Sequence, residues 1–215
     1  RRRCLACLSL GKCRRILMEQ TIIESQLIFP TQVFRAQFDS AQELAKAVVP
    51  TLLDQEKNDK KPLKYTANGY TDYGRENLLE RPVFKELKDF IDDVVVRCHK
   101  QTGLQNEPSL RSSWFSINRK YTYHEEHNHL PDTWSGVYYI QADQDHPGLT
   151  LVNPNMKSNW PGTYGRAELN DVNSSSVTCA AITGSLIVFP SHLHHKVEQQ
   201  TVDKERIMVA FNYGF

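Results

Sequence analysis

The chain lacks the features that direct a protein to a membrane or to nucleic acid. It has no uninterrupted apolar run near the roughly 20 residues that a membrane span needs. Lysine and arginine (26) nearly balance aspartate and glutamate (25), so no excess of positive charge is present to attract a phosphate backbone. We therefore expect no membrane and no nucleic-acid partner, but a small-molecule or peptide substrate that is recognised locally.

The chain has few cysteines, and their number is odd. Of five cysteines, Cys98 and Cys179 stand in apolar contexts where buried thiols are common, which favours a reducing, cytoplasmic location. The three others lie in a basic N-terminal stretch that lacks a fourth zinc ligand and a signal-peptide core. Met18 is a plausible start, and we expect residues 1–20 to be a disordered or non-native leader.

Helical patterns occupy the first half of the remaining chain. Capping and periodicity predict a helix over about 41–56, which Pro50 should kink or split, and a second helix over 83–101. Together they indicate helical support over about 39–105. The polar segment 57–80 is predicted to be a loop that could lie over the site.

Short β-rich runs separated by turn residues replace the helical pattern from about residue 110. This order predicts an α+β chain, a single domain over 21–215, with a sandwich or jelly roll over about 110–215 and the helices on one outer face. The Asn-, Ser- and Gly-rich segment 153–176 is a long connection of the kind that is usually functional or mobile.

The histidine-rich stretch 121–135 offers two competing metal-binding pairs. His127 and His129 share a face if the stretch is a regular strand, because side chains alternate with period two. His124 and Glu126 would share the opposite face and would supply a carboxylate. The two pairs cannot then serve one ion, and the alternative is that some of these histidines are simply exposed.

A second histidine cluster and an arginine follow near the C-terminus. The cluster contains His192, His194 and His195. Parity places His195 opposite the other two, so only one set can point inward. Arg206 begins an apolar run, which should bury the strand and with it the start of the arginine side chain. A buried guanidinium needs an anion as its partner. The alternative for Arg206 is a salt bridge with Glu205 or Asp203.

At this point the chain resembles the 2-oxoglutarate/Fe(II)-dependent dioxygenases, specifically a group of small members, over roughly residues 110–215. The similar blocks are His127-x-His129, Ser135-Gly136-Val137-Tyr138-Tyr139, Gly184-x-Leu186-x-x-Phe189-Pro190, His195-x-Val197, and Glu205-Arg206 leading to Phe211-Asn212.

The resemblance implies a double-stranded β-helix of jelly-roll type that holds Fe(II) between its sheets. His127 takes the first metal-ligand role, His195 the distal one, and Arg206 pairs with the far carboxylate of 2-oxoglutarate. The implied reaction hydroxylates an unactivated C–H bond with release of succinate and CO2, and ascorbate would stimulate it. The sequence leaves the oligomeric state open, a dimer included.

The chain departs from the family pattern at two positions. Most members place Asp or Glu where this chain has His129, although Asp132 or Glu126 could supply a carboxylate nearby. Many members have a hydroxyl where this chain has Met208, and Tyr139 or Tyr123 could donate to the co-substrate instead. Aromatic residues expected to line a substrate cleft are Trp114, Trp134, Trp160 and Tyr164.

Two other functions remain open. A cupin-like jelly roll that binds metal without 2-oxoglutarate would suit His127-x-His129, but Tyr121 occupies the position of its usual glycine and Arg206 would have no role. The second alternative is a non-catalytic β-sandwich interaction domain in which the histidines have no metal-binding role.

Overall fold

The computed structural model describes residues 30–63, 68–155, 170 and 174–215. Its contacts divide the chain into two units, residues 1–30 and 31–215, and all the elements below belong to the second. The predicted leader, Trp160 and Tyr164 lie outside the described residues. None of the described helices is long and apolar enough to cross a membrane.

Two α-helices, with short 3-10 turns before the second, form the helical layer. Helix α1 spans Ala41–Asn58, the turns span Leu78–Glu80 and Pro82–Phe84, and helix α2 spans Lys85–Gln101. Helix α1 continues through Pro50, so of the two expected effects of this proline, a kink or a split, the split does not occur. Pro50 is exposed, so its ring projects towards solvent and interrupts the backbone ladder on the side where water can replace a hydrogen bond.

Ten strands among the described residues form two sheets in which every pairing is antiparallel. The large sheet contains, in spatial order, β1 (Phe34–Gln37), β8 (Ser185–Pro190), β5 (Trp134–Gln141), β10 (Arg206–Gly214), β3 (Ser109–Asn118) and β2 (Tyr70–Thr71). The small sheet contains β4 (His124–His127), β9 (His195–Val197), β6 (Leu149–Val152) and β7 (Ser176–Cys179).

The large sheet buries different residues on its two faces. On β10, Ile207 and Val209 pack with both α-helices in one apolar core. Met208, which points the other way, belongs to a second core shared with Leu149 and Leu151 of the small sheet. This alternation follows from the period of two in a strand. The space between the sheets is therefore reached by every second residue of the large sheet.

Candidate metal centre

Three histidines from different parts of the small sheet converge. His127 ends β4, His195 begins the adjacent β9 as its cross-strand partner, and His129 follows β4. One nitrogen from each ring lies within 4.8 Å of one from each of the others. The ring centroids of His127 and His195 are 4.3 Å apart, and His129 lies 5.0 Å from each of them. Such a cluster can hold one metal ion.

Backbone carbonyls orient two of the three rings. Nδ1 of His127 lies 2.7 Å from the carbonyl oxygen of Glu125, and Nδ1 of His195 lies 3.0 Å from that of Leu193. A carbonyl oxygen only accepts hydrogen bonds, so each Nδ1 carries the proton and each Nε2 keeps its lone pair. This arrangement is typical of histidines that ligate metals, where the second nitrogen fixes the ring.

Burial keeps two of the three imidazoles, those of His129 and His195, neutral. It lowers the pKa of His129 to about 4 and that of His195 to about 3, with the nearby His127 acting in the same direction. A buried ring is poorly solvated, and its charged form is therefore disfavoured. Since the neutral imidazole is the form that binds metal, these two rings are ready to coordinate an ion at neutral pH.

The side chains of the competing pair, His124 and Glu126, do not share a face of β4. A register shift between His124 and His127 breaks the regular alternation of β4, so His124 turns into the interior with His127. Glu126 instead accepts a hydrogen bond from Nδ1 of His194 at 3.0 Å, where both side chains are partly exposed. The regular-strand assumption behind the pairing of His124 with Glu126 is therefore wrong. Asp132 is not part of the histidine cluster.

Only one of the C-terminal histidines joins the centre. His195 is 5% exposed and shares the buried side of β9 with Val197. His194 is held between Glu126 and the amide of Asn128. His192 is exposed. The parity argument separated these side chains in the same way.

Arg206 is buried without a carboxylate partner among the described residues. It is 1% exposed, its Nη1 donates to the carbonyl oxygen of Pro147, and its Nε has no partner in the part of the chain that the structure describes. The expected alternative, a salt bridge with a neighbouring acid, is wrong. Glu205 binds Arg119 at 3.0 Å, and Asp203 binds Lys120 at 3.5 Å. Burial lowers the pKa of Arg206, as desolvation disfavours its charge.

A cavity of about 580 Å³ opens between the sheets beside the histidines. Its wall includes all three members of the cluster together with His124, Tyr139, Tyr123 and Trp114. Arg206 is not part of this wall. Met208, two residues further along β10, is part of it. Trp134 does not reach the cavity, because it packs in the helix-side core and donates to Nδ1 of His99 at 3.1 Å.

The two tyrosines expected to assist co-substrate binding differ in setting. Tyr139 is 1% exposed, and burial raises its pKa to about 12, so its hydroxyl keeps its proton and can donate. Tyr123 is 41% exposed. Sequence reasoning missed Ser116 and Asn118, which lie buried on β3 beside this region. A strand was expected in this region. The register that brings these two residues next to Arg206, however, cannot be read from the local sequence.

Comparison with known proteins gives a family match for part of the chain. Residues 112–212 match the family described as "Putative 2OG-Fe(II) oxygenase". This segment contains the three histidines of the cluster and Arg206. No curated protein matches the sequence.

Solved structures match over most of the chain at low identity. A prolyl-4-hydroxylase from Pseudomonas putida has 13% identity and a TM-score of 0.57, covering 86% of this chain and 94% of the other. HygX from Streptomyces hygroscopicus, with nickel and 2-oxoglutarate bound, has 14% identity and a TM-score of 0.57, covering 86% and 83%. The chain shares their fold.

A third similar structure is that of an epimerase rather than a hydroxylase. The epimerase SnoN from nogalamycin biosynthesis, in complex with Fe3+, alpha ketoglutarate and nogalamycin RO, has 9% identity and a TM-score of 0.59, covering 86% of this chain and 79% of the other. A hydroxylase and an epimerase thus share this fold, so the fold alone does not fix the reaction.

Proposed function

We propose that the protein is an Fe(II)- and 2-oxoglutarate-dependent oxygenase with a double-stranded β-helix (jelly-roll) core. It hydroxylates an unactivated C–H bond of a small molecule or a protein side chain and releases succinate and CO2, with ascorbate as a stimulant. One observation carries the proposal. A cluster of three histidines lies on the same side of the large sheet as a buried arginine that has no carboxylate partner among the described residues.

His127, His129 and His195 fit a metal ion by their donor chemistry. Two of the rings are oriented by carbonyls so that Nε2 is available, and the pKa values of His129 and His195 are lowered by burial. Bound Fe(II) would supply the activation of O2 that the reaction requires. Three neutral ligands leave the ion with more net positive charge than two histidines and a carboxylate would, which favours anionic co-ligands.

Arg206 supplies the anchor for a dicarboxylate. A buried guanidinium without a counter-ion is costly, and an incoming carboxylate offsets that cost through two parallel charge-assisted hydrogen bonds. The 2-oxo acid end of the co-substrate would face the histidines and its distal carboxylate would reach Arg206. Tyr139 on β5, with its hydroxyl protonated, lines the cavity and is the cross-strand partner of Met208, so it is a candidate donor to the co-substrate.

The cupin-like alternative is favoured by the same three histidines, because a metal-binding jelly roll needs no carboxylate ligand and no 2-oxoglutarate. It gives no reason for the burial of Arg206, whose acidic neighbours are taken by Arg119 and Lys120. We therefore place it second.

A coupled assay separates the two functions. We expect Fe(II), O2 and 2-oxoglutarate together to yield succinate, at a low rate even without the primary substrate. His195→Ala should abolish this turnover, and His194→Ala, at the adjacent position outside the cluster, should retain it. Metal binding without any succinate in the wild-type protein would support the cupin-like function instead.

The middle ligand is tested by a pair of variants. We propose His129 for this role because its ring is in the cluster, whereas Glu126 binds His194. His129→Ala should lose Fe(II) affinity and His129→Asp should retain or raise it, since a carboxylate restores the commoner ligand set. Loss of the metal in Glu126→Ala, with none in His129→Ala, would reverse the assignment.

A further inference from the structure

Three buried polar atoms without a hydrogen-bond partner among the described residues lie close together on the large sheet. They are Nε of Arg206, Nδ2 of Asn118 and Oγ of Ser116. Their side chains are 1%, 3% and 1% exposed in that order. Leaving a buried polar group unpaired costs roughly 1–3 kcal/mol, so three adjacent cases are unusual for a surface that has no ligand.

The strand register shows that the three residues are neighbours. Arg206 on β10 is the cross-strand partner of Asn118 on β3, and Met208 is the partner of Ser116. The next pair along the same two strands, Ala210 with Trp114, contributes both residues to the cavity wall. Residues at alternate positions point to the same face, so Asn118 and Ser116 face the inter-sheet space with Arg206.

All three unpaired groups can act as hydrogen-bond donors. Oδ1 of Asn118 lies 3.4 Å from Nε2 of His124, and since this oxygen can only accept, the contact leaves the amide NH2 turned away from His124. The Ser116 hydroxyl and the Arg206 Nε–H add two further donors. Two neutral donors lie beside one cation that pairs with no acid of the described residues, and together they form a site for an anion.

We propose that Ser116 and Asn118 bind the distal carboxylate of 2-oxoglutarate together with Arg206, as positioning residues of the co-substrate site; this inference rests on the proposed function. Ser116 replaces the hydroxyl that Met208 cannot supply, because it stands directly across from Met208 and faces the same space. The carboxylate is then held by donors from two strands, β3 and β10.

The proposal predicts opposite effects on stability and on binding for one substitution. In Ser116→Ala the removed hydroxyl has no partner among residues 30–63, 68–155, 170 and 174–215, so the thermal stability of the ligand-free protein should be unchanged or higher. The Kd for 2-oxoglutarate, measured anaerobically by calorimetry on the Fe(II)-loaded protein, should rise about tenfold, the value of one hydrogen bond to a charged group.

Ser113→Ala is the matched control on the same strand. Ser113 is also buried but points to the helix side, where its Oγ accepts the backbone N–H of Leu79 at 3.0 Å. This variant should lose stability and keep the wild-type Kd for 2-oxoglutarate. A fall in affinity equal to that of Ser116→Ala would show that the effect comes from a loosened fold, and would overturn the proposal.

A shorter ligand identifies the end of the co-substrate that is bound. 2-Oxobutyrate keeps the 2-oxo acid and lacks the distal carboxylate, so Ser116→Ala should bind it as wild type does. Asn118→Asp adds a second test, because the new carboxylate would satisfy Arg206 internally. It should weaken 2-oxoglutarate binding more than Ser116→Ala does.

The outcomes separate this inference from the proposed function. Wild-type affinity for 2-oxoglutarate in both Ser116→Ala and Asn118→Asp would overturn the inference and leave the proposed function standing. An equal loss for 2-oxobutyrate and 2-oxoglutarate in Ser116→Ala would overturn it too. No binding of 2-oxoglutarate to the wild-type protein would contradict both.

Discussion

The two faces of the large sheet show how one set of strands serves two purposes. On β3 and β10, the side chains that pack on the helices are those of Phe115, Ile117, Ile207 and Val209. The alternating residues Ser116, Asn118 and Arg206 face the small sheet, each with a polar atom that has no partner in the described part of the chain. The separation is incomplete, since the hydroxyl of Tyr138 on the helix side also lacks a partner within the residues that the structure describes. The first face contributes packing with the helices, and binding should come from the second.

The strongest test of this comparison is removal of a metal ligand. His127→Ala should lose nearly all affinity for divalent metal, because two imidazoles remain, while the fold persists. Metal titration by calorimetry and far-UV circular dichroism would measure the two properties. The exposed His192→Ala is the control and should match wild type. Wild-type metal affinity in His127→Ala would contradict the account.

The next effect concerns the buried cation. In Arg206→Ala, the affinity for 2-oxoglutarate should fall by a hundredfold or more, on the order of 3–5 kcal/mol. Metal affinity should barely change. Arg206→Lys should recover only part of the loss, because an ammonium cannot form the bidentate fork. Wild-type succinate production by Arg206→Ala would mean that the arginine is structural.

A substitution on the opposite face should separate stability from binding. Ile207 adjoins Arg206 but is 0% exposed in the helix-side core. Ile207→Ala should lower the free energy of unfolding by about 2–5 kcal/mol through loss of packing and creation of a cavity. Urea unfolding measures this, and the affinity of the folded protein for metal should stay unchanged. A selective loss of metal affinity would show that the two faces are not independent.

Acid should destabilise the metal-free protein mainly through the buried histidines of the cluster. The pKa values of His129 and His195 are lowered to about 4 and about 3, below the value of about 6.5 in an unfolded chain. The unfolded state therefore binds more protons below pH 6.5, and the stability of the metal-free protein falls as the pH drops towards these values.

The expected loss between pH 6.5 and 5 is about 2 kcal/mol for each such histidine. Urea unfolding of the metal-free protein at pH 7 and pH 5 would measure it. His195→Ala is the control and should lose less stability over this range, because one buried imidazole is gone. An equal loss in both proteins would assign the acid sensitivity to other groups.

Local pattern predicted the elements better than it predicted their neighbours. The helical period of 83–101 and the alternation in the C-terminal half are properties of short windows, and the structure has α2 and the sheets there. The convergence of His127 with His195 depends on long-range pairing, for which the resemblance to a known family supplied the order of blocks that periodicity could not.

Three features of the site were beyond a sequence argument. The register shift in β4 turns His124 inward, and a shift of this kind has no residue signature here. Arg119 captures Glu205 through the fold, which leaves Arg206 without that partner. The pairing of Ser116 with Met208 follows from the register of β3 against β10, which is set by the whole sheet.

The most direct test of the central claim is an anaerobic titration of the protein with Fe(II) and 2-oxoglutarate, monitored by visible absorption. We expect the weak charge-transfer band of the iron chelate to appear only when protein, metal and co-substrate are all present. The band should be lost in His195→Ala, persist in His194→Ala, and require far more 2-oxoglutarate in Arg206→Ala. Fe(II) binding with no band at any concentration of 2-oxoglutarate would contradict the account.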